Sequence, residues 1–217
     1  MTISHHPTDE TLLRHAAGHL PAGPALVVAT HLSGCPACRS RLAAFEAVGG
    51  MMLEEIEPEA MAPDAFAALL HRLDRPEPPP PPAPAPGSGR LPHGIVLPEP
   101  LRDCEIGPWR WIGIGIRAST VTVPQNREAR LTLLRVGPDR KLPEHGHTGT
   151  EFTQVLFGSF SDSFGRYGPG DLTEMGAEVE HQPVVDPEGE CICLAALEGE
   201  MRLSGWLGRL IQPFIRL

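Results

Sequence analysis

The amino-acid sequence predicts a multidomain α + all-β protein, in which a helical N-terminal part precedes a β-rich C-terminal part. Over the first 75 residues, apolar side chains recur at spacings of three and four, the period of an amphipathic helix. Beyond Leu91 the apolar runs are short and separated by Gly and Pro, which is typical of an antiparallel sandwich or barrel. Between these parts, eight of the eleven residues 76–86 are proline, which excludes a helix or an inner strand there.

The proline-rich stretch divides the chain into two predicted domains, residues 1–75 and 93–217. A length of 217 residues is sufficient for two small domains, and a single domain with a long tail is the alternative. We interpret residues 76–92 as a linker, because polyproline is stiff and the Gly-Ser-Gly sequence at 87–89 is flexible. Docking of a proline-binding partner on this segment is the alternative interpretation.

The charge and hydropathy of the chain narrow the classes of partner. A formal net charge of -9 argues against direct binding to nucleic acid, because affinity for a phosphate backbone depends on clustered Lys and Arg. An acidic surface suits a basic protein partner, or it serves solubility alone. The chain start lacks the apolar core of a signal peptide, and no stretch approaches the ~20 apolar residues that cross a bilayer. We therefore expect a cytoplasmic protein without a membrane partner.

Four helices are predicted in the N-terminal part. Capping residues, prolines and glycines place them from Thr8 or Asp9 to Gly18, over 24–32, from Cys35 or Pro36 to about Val48, and after Asp64. Gly49 and Gly50 are expected to stop the third helix. The fourth has an apolar face formed by Phe66, Leu69, Leu70 and Leu73. So small a helical core usually needs a metal or a partner surface for its stability.

A first candidate metal site is formed by His31, Cys35 and Cys38, in the spacing H-x3-C-x2-C. One imidazole and two thiolates belong to the ligand set that tetrahedral zinc prefers. His31 falls in the last turn of the second helix, and the two cysteines open the third, where the helix dipole is expected to lower the thiol pKa. Two free thiols beside a surface histidine are the alternative.

A fourth zinc ligand is expected from the histidines near the first helix. His5 and His6 precede it, and we favour His6 because it lies nearer the helix; His15 or His19 could substitute. An N-terminal histidine followed by H-x3-C-x2-C in a four-helix unit resembles the zinc-binding anti-sigma domain, which occludes extracytoplasmic-function (ECF) sigma factors. The resemblance implies that zinc bridges three helices and that the fourth helix packs on the sigma factor.

The C-terminal part contains five predicted strands and a closing apolar run. The strands are predicted over 109–116, 118–123, 130–136, 152–157 and 191–196. Cys191 and Cys193 could share a strand face, but their apolar neighbours favour core packing over a redox function. Residues 203–217 predict a closing strand, or a short helix followed by a strand.

A second candidate metal site surrounds the sequence His145-Gly146-His147. Residues two apart in a strand share a face, so the two imidazoles can chelate one ion, and Glu151 can reach it from the adjoining strand. His181 follows a Gly-rich turn at a distance that suits a further ligand on a neighbouring strand. The pattern resembles the cupin motifs, which implies a double-stranded β-barrel with a three-His, one-Glu site. Zinc or another divalent transition metal, such as iron, manganese or nickel, fits these ligands.

Together, the two motifs and the linker resemble the ChrR family of anti-sigma factors, which join a zinc-binding anti-sigma domain to a C-terminal cupin. The matching stretches are VVATHLSGCPAC at 27–38 and HGHTGTE at 145–151. The resemblance implies a 1:1 complex with an ECF (group IV) sigma factor and its release on oxidative stress of the singlet-oxygen type. It also implies that the cupin is dispensable for inhibition but required for the response.

Two other functions are compatible with the sequence. A cupin with a complete ligand set could be a metal-dependent dioxygenase or isomerase, with the helical part as a regulatory zinc domain. The sequence outside the ligand set provides no convincing general acid or base, so we expect that the protein is not an enzyme. A metal-storage or zinc-sensing module without a sigma partner is the third class.

Overall fold

The computed structural model describes residues 2–75, 91–124, 126–127 and 129–203. Within these ranges a helical N-terminal part is followed by a β-rich C-terminal part, so the predicted fold class is confirmed. Most of the predicted linker, and the predicted closing run beyond its first residue, lie outside the described residues. None of the helices in these ranges is long and apolar enough to cross a bilayer.

Four α-helices and twelve strands make up the described structure. The helices are α1 (Asp9–Ala16), α2 (Ala22–Gly34), α3 (Pro36–Glu54) and α4 (Ala65–Leu73). The strands are β1 (Glu105–Ile106), β2 (Arg110–Gly113), β3 (Ile116–Thr122), β4 (Leu131–Val136), β5 (His145–His147), β6 (Glu151–Phe157), β7 (Phe160–Ser161), β8 (Arg166–Tyr167), β9 (Leu172–Met175), β10 (Val184–Val185), β11 (Cys191–Leu197) and β12 (Met201–Leu203). Two short 3-10 helices, Pro92–Gly94 and Glu99–Leu101, precede β1.

The strands form three antiparallel sheets that together build the barrel. The largest sheet has the order β1-β3-β4-β11-β6-β9, and β2 also pairs with β3. The two smaller sheets have the orders β10-β7-β8 and β12-β5. β11 lies between β4 and β6, and six of its seven residues are buried. A central strand that is covered on both faces explains the nearly continuous apolar run in this part of the sequence.

The helix boundaries follow the predicted caps, with one clear difference. Thr8 caps α1, because its Oγ1 accepts a hydrogen bond of 3.2 Å from the backbone N–H of Thr11. Cys35 caps α3 ahead of Pro36, as predicted. The predicted stop near Val48 is wrong, since α3 continues through both following glycines to Glu54. Glycine lowers helix propensity by about 1 kcal/mol without breaking the backbone hydrogen bonds, so a long helix tolerates it.

The predicted strand over 109–116 belongs to two strands joined by a tight turn. β2 ends at Gly113 and β3 begins at Ile116, so the chain reverses between them. Gly115 has φ 76°, a left-handed conformation that glycine adopts without steric cost. The sequence pattern predicts one strand because Ile114 is apolar and continues the run. In the structure Ile114 lies in the turn and is 84 % exposed.

The helical part packs directly on the barrel. Val27 and Val28 of α2 are fully buried in one apolar cluster with Phe152 of β6 and Leu194 of β11. Full burial of such side chains contributes about 1.5–3 kcal/mol each relative to exposure. The helical part and the barrel therefore share apolar core residues. The division into domains 1–75 and 93–217 stays a prediction about independent folding.

Polar contacts fix α1 on the same side of the barrel. The guanidinium of Arg14 donates hydrogen bonds of 2.6 and 3.2 Å to the carboxylate of Glu198, just after β11. The hydroxyl of Thr8 donates to Glu174 of β9 at 2.9 Å. The N-terminal segment therefore runs along the barrel edge where the candidate metal site of the helical part lies.

Candidate metal centres

The helical cluster brings together the four residues proposed as zinc ligands, His6, His31, Cys35 and Cys38. Each residue offers one ligand atom, and these atoms all lie within 4.8 Å of one another. His6 Nδ1 lies 3.5 Å from Cys35 Sγ and 3.4 Å from Cys38 Sγ. His31 Nε2 lies 3.4 Å from Cys38 Sγ. Two nitrogen and two sulfur donors grouped this closely can surround one tetrahedral ion.

The alternative histidines of the sequence analysis lie elsewhere. His5 faces the barrel, where its Nδ1 is 3.3 Å from Asp171 Oδ2 and its ring centroid is 4.5 Å from that of Tyr167. His15 is partly buried on α1, and burial lowers its pKa. His19 is exposed after the end of α1. The structure thus groups His6, rather than these three, with His31 and the cysteines.

Burial dominates the electrostatics of the helical cluster. It lowers the pKa of His31, whose ring is then neutral at pH 7 and can offer a lone pair. Burial, together with the neighbouring Cys35, raises the pKa of Cys38 to about 11, although Arg41 Nη1 lies 3.8 Å from its sulfur. For Cys38 this is opposite to the lowering expected from the helix N-terminus. A metal bound here must therefore displace a thiol proton.

The barrel cluster consists of the other four proposed ligands, His145, His147, Glu151 and His181. Their ligand atoms also lie within 4.8 Å of one another. His145 and His147 lie on β5, Glu151 begins β6, and His181 joins His145 through backbone hydrogen bonds of 3.0 and 3.1 Å. Glu151 Oε2 is 3.5 Å from Nε2 of both His147 and His181 and 3.9 Å from Nε2 of His145. The three imidazoles therefore converge on one carboxylate oxygen.

Two of these imidazoles are oriented through their other ring nitrogen. His145 Nδ1 lies 2.8 Å from the carbonyl oxygen of Pro143, and His181 Nδ1 lies 3.1 Å from Asp162 Oδ2. In metal sites such a bond fixes the ring and its tautomer and leaves Nε2 for the ion. Asp162 is not predicted from the sequence, because Asp-Ser-Phe-Gly is a turn sequence and gives no sign of a buried carboxylate.

The charge state of the barrel cluster fits a divalent cation. Both ring nitrogens of His147 are buried without a hydrogen-bond partner among the described residues, and burial lowers its pKa. A buried polar atom without a partner costs about 1–3 kcal/mol, and a bound metal ion would supply a partner for His147. Burial would raise the pKa of Glu151, but the surrounding imidazoles of His145, His181 and His147 lower it far below its usual range. An anionic carboxylate among buried imidazoles suits a bound cation.

The cavity beside the barrel cluster is small. Its volume is about 40 Å³, and its lining includes His145, Glu151 and His181 as well as Cys191 and Cys193. The two sulfur atoms lie 3.5 Å apart, and both cysteines are buried in the apolar core of the barrel, as predicted. A water molecule takes up about 30 Å³, whereas most ligand pockets measure about 300–1,000 Å³. This cavity is therefore small compared with most ligand pockets.

The fold and the two clusters define a cupin protein with a helical His/Cys module on its surface. A family model described as the ChrR cupin-like domain matches residues 100–199. The anti-sigma-E factor ChrR of Cereibacter sphaeroides is 40% identical over 222 residues, covering 100% of both chains. In the crystal structure of Rhodobacter sphaeroides SigE in complex with the anti-sigma ChrR, the matching chain is 38% identical with a TM-score of 0.73, covering 91% of this chain and 100% of that one. This chain belongs to the ChrR family of anti-sigma factors.

Family membership decides between the functions that the sequence left open. It confirms the resemblance that the two motifs predicted. Because the relatives are regulators, the chain is an anti-sigma factor rather than a dioxygenase or isomerase.

Proposed function

We propose that this chain binds an ECF (group IV) sigma factor in a 1:1 complex and blocks its access to RNA polymerase. The observation that carries the proposal is the exposed apolar face of α4. Its large side chains are exposed by 47 to 71 %: Phe66, Leu69, Leu70 and Leu73. In the described structure α4 buries none of its nine residues. A helix this short has little stability alone, and an exposed apolar face of this kind marks a protein interface.

Apolar side chains are exposed at the end of α3 as well. Met51 and Met52 are each 65 % exposed, and Leu53 is 67 % exposed. Methionine is unbranched and polarizable, so it adapts to the shape of a partner. The last residue of α3 and the chain that follows it add glutamates, at positions 54, 55, 57 and 59. An apolar helix beside acidic residues suits a groove with a basic rim on the sigma factor.

We further propose that Zn²⁺ occupies the helical cluster. Imidazole and thiolate donors are the set that zinc prefers, and His6 and His31 with the two cysteines supply four of them. Bound there, the ion would tie the N-terminal segment to α2 and α3, and part of its binding energy would stabilise the fold. The barrel cluster would hold zinc or another divalent transition metal, because three imidazoles and a carboxylate accept several such ions.

The proposed signal is oxidative stress of the singlet-oxygen type, with the barrel cluster required for release of the sigma factor. The ChrR relatives support the anti-sigma role. The imidazoles and thiols of the two clusters are oxidisable groups, and they are the proposed sensors. In this proposal the barrel is dispensable for inhibition, and the protein acts in the cytoplasm without touching nucleic acid.

The exposed face of α4 is tested with Leu69→Asp in the full-length chain. We expect at least about tenfold weaker binding to an ECF sigma factor from the same genome, because loss of a central apolar contact costs about 2 kcal/mol or more. The thermal midpoint should not change, since Leu69 is 51 % exposed. Val96→Asp, at a barrel position that is 74 % exposed, is the matched control. Unchanged binding of Leu69→Asp in isothermal titration would contradict the assignment of α4.

The zinc proposal is tested with Cys38→Ser. We expect this variant to lose stoichiometric zinc from the helical cluster and to lose sigma binding with it, because three of the four ligands cannot hold the N-terminal segment as firmly. Metal content by elemental analysis and sigma binding by titration are measured on the same preparation. Cys104→Ser, at a partly buried free cysteine outside both clusters, should change neither quantity. A Cys38→Ser protein that retains both would refute the site, and wild type with metal but no sigma binding would favour a storage module.

A further inference from the structure

One segment of the barrel touches both metal clusters. It comprises residues 162–171, which include β8 and the turns on either side of it, and is called the bridging segment below. It is separate in sequence from all eight proposed ligands. Its contacts with the two clusters are hydrogen bonds to the ligand histidines and to the residues beside them.

Toward the barrel cluster, the contact is made by Asp162. Its side chain is fully buried, and its Oδ2 lies 3.1 Å from His181 Nδ1. The other carboxylate oxygen of Asp162 accepts hydrogen bonds from the backbone N–H groups of Phe164 and Gly165, at 2.8 and 3.1 Å. These bonds fold the turn that leads into β8. Asp162 thus holds His181 on one side and the turn before Tyr167 on the other.

Toward the helical cluster, the contacts are made by the turn after β8. The carbonyl oxygen of Gly170 lies 2.9 Å from His31 Nδ1, which leaves Nε2 for the cluster. The carboxylate of Asp171 accepts hydrogen bonds from the backbone N–H groups of Ser4 and His5, at 2.7 and 2.9 Å. The ring of Tyr167 packs on His5, which directly precedes the proposed ligand His6. The bridging segment therefore orients two of the four proposed zinc ligands, one directly and one through its neighbour.

The turn at Gly170 packs closely against the N-terminal segment and against β6. Gly170 has φ 92°, in the left-handed region, and a Cβ atom there would lie 2.8 Å from Ile3 Cγ1. The backbone N–H of Gly170 also donates to the carbonyl oxygen of Val155 in β6 at 2.8 Å. A displacement of the turn would therefore move the N-terminal segment with it.

We propose that the bridging segment links the two centres thermodynamically, with Asp162 and Tyr167 as positioning residues. When His181 Nε2 binds a metal ion and Nδ1 bonds to Asp162, the side chain of Asp162 is held in place. Tyr167 and the turn after it then hold Gly170 and Asp171 against the helical cluster. Loss of metal from the barrel would release His181 and weaken metal binding in the helical cluster. By thermodynamic linkage, loss of metal from the helical cluster would weaken metal binding in the barrel by the same factor. This inference rests on the proposed function, in that both clusters must hold a metal.

The test uses cobalt as a probe of the helical cluster in the full-length chain. Co²⁺ bound to thiolates gives a charge-transfer band. The four barrel ligands include no thiol, and every sample contains Cys191→Ser and Cys193→Ser to remove the thiols that line the adjoining cavity, so the band reports the helical cluster. His147→Ala empties the barrel cluster without changing a direct contact of the bridging segment. We expect the cobalt affinity of the helical cluster to fall about fivefold or more in His147→Ala relative to wild type with its barrel loaded. Elemental analysis confirms the barrel content of each sample.

Asp162→Asn separates linkage from a general loss of stability. It leaves all eight proposed ligands in place, but the amide nitrogen cannot accept a hydrogen bond, so one side chain can no longer hold both His181 Nδ1 and the turn before β8. The ratio of the cobalt affinities with loaded and with empty barrel should therefore fall toward one. Asp186→Asn is the matched control, because its carboxylate contacts Ser159, Ser161 and Arg166 and no proposed ligand, and it should leave the ratio unchanged. A ratio near one in wild type, or an unchanged ratio in Asp162→Asn, would overturn the inference. Absence of the thiolate band from wild type is a separate result and would overturn the proposed zinc site as well.

Discussion

At the scale of single residues, Asp171 shows how one buried carboxylate holds two distant segments together. Besides Ser4 and His5, it accepts a hydrogen bond of 2.9 Å from the backbone N–H of Gly168. Burial would raise the pKa of Asp171, but these hydrogen bonds outweigh burial and lower it. The folded-state pKa therefore lies below the unfolded value of about 3.9. The resulting stabilisation is full above that value and is lost as pH falls through the folded-state pKa.

Asp171→Asn should lower the free energy of unfolding at pH 7 by about 1–3 kcal/mol, because the amide nitrogen cannot accept the backbone N–H groups that the carboxylate accepts. The difference from wild type should shrink at about pH 3, where protonation removes the wild-type charge as well. Urea unfolding at the two pH values measures both quantities. Glu188→Gln, at an exposed position, should match wild type at both. A difference that is the same at both pH values would argue against the charge as its cause.

At the scale of elements, α2 and α3 contain glycines in opposite surroundings. A Cβ atom on Gly23 of α2 would lie 2.7 Å from the carbonyl oxygen of Arg130 and 3.3 Å from Ala196 Cβ. A Cβ atom on Gly49 or Gly50 of α3 would meet nothing within 4 Å. Glycine thus permits close approach of α2 to the barrel, whereas in α3 it has no packing role.

Alanine at these positions should therefore have opposite effects. Gly23→Ala should destabilise the protein by about 1–3 kcal/mol, since α2 must move away from the barrel backbone. Gly49→Ala should stabilise it by about 0.5–1 kcal/mol through helix propensity alone. Unfolding in urea measures both changes against wild type. Equal effects of the two substitutions would mean that α2 is less closely packed than the structure shows.

At the scale of the whole molecule, metal removal should destabilise the protein and weaken sigma binding. Loss of zinc would leave His6 joined to α2 and α3 only through weak contacts, at a cost on the order of several kcal/mol. A chelator titration followed by circular dichroism and by sigma binding measures the two effects together. Readdition of Zn²⁺ should restore both, and binding that survives complete chelation would contradict the proposed role of the ion.

Both ligand sets could be proposed from sequence because each depends on local geometry. The spacing H-x3-C-x2-C spans one helix end and the next helix start, and His145 and His147 alternate along one strand. Even the choice of His6 over His5 followed from distance along the chain. Helix caps such as Thr8 were predictable for the same reason.

The contacts between the helical part and the barrel could not be predicted from local sequence patterns. The pair of Arg14 and Glu198 joins residues 184 positions apart, and no periodicity in the sequence signals it. Asp162 and Gly170 likewise lie in sequences that indicate turns and nothing more. The turn at Gly115 was not predicted because Ile114, which is exposed, continues the apolar run across it.

The apolar contact between α2 and β11 has a consequence for proteolysis. Cleavage of a peptide bond between residues 76 and 90 would leave two fragments that still pack together through their buried valines and aromatic rings. Such a nicked molecule would migrate as one species in native conditions and separate in denaturant. Degradation that separates the two halves must therefore break this apolar contact as well as cut the chain.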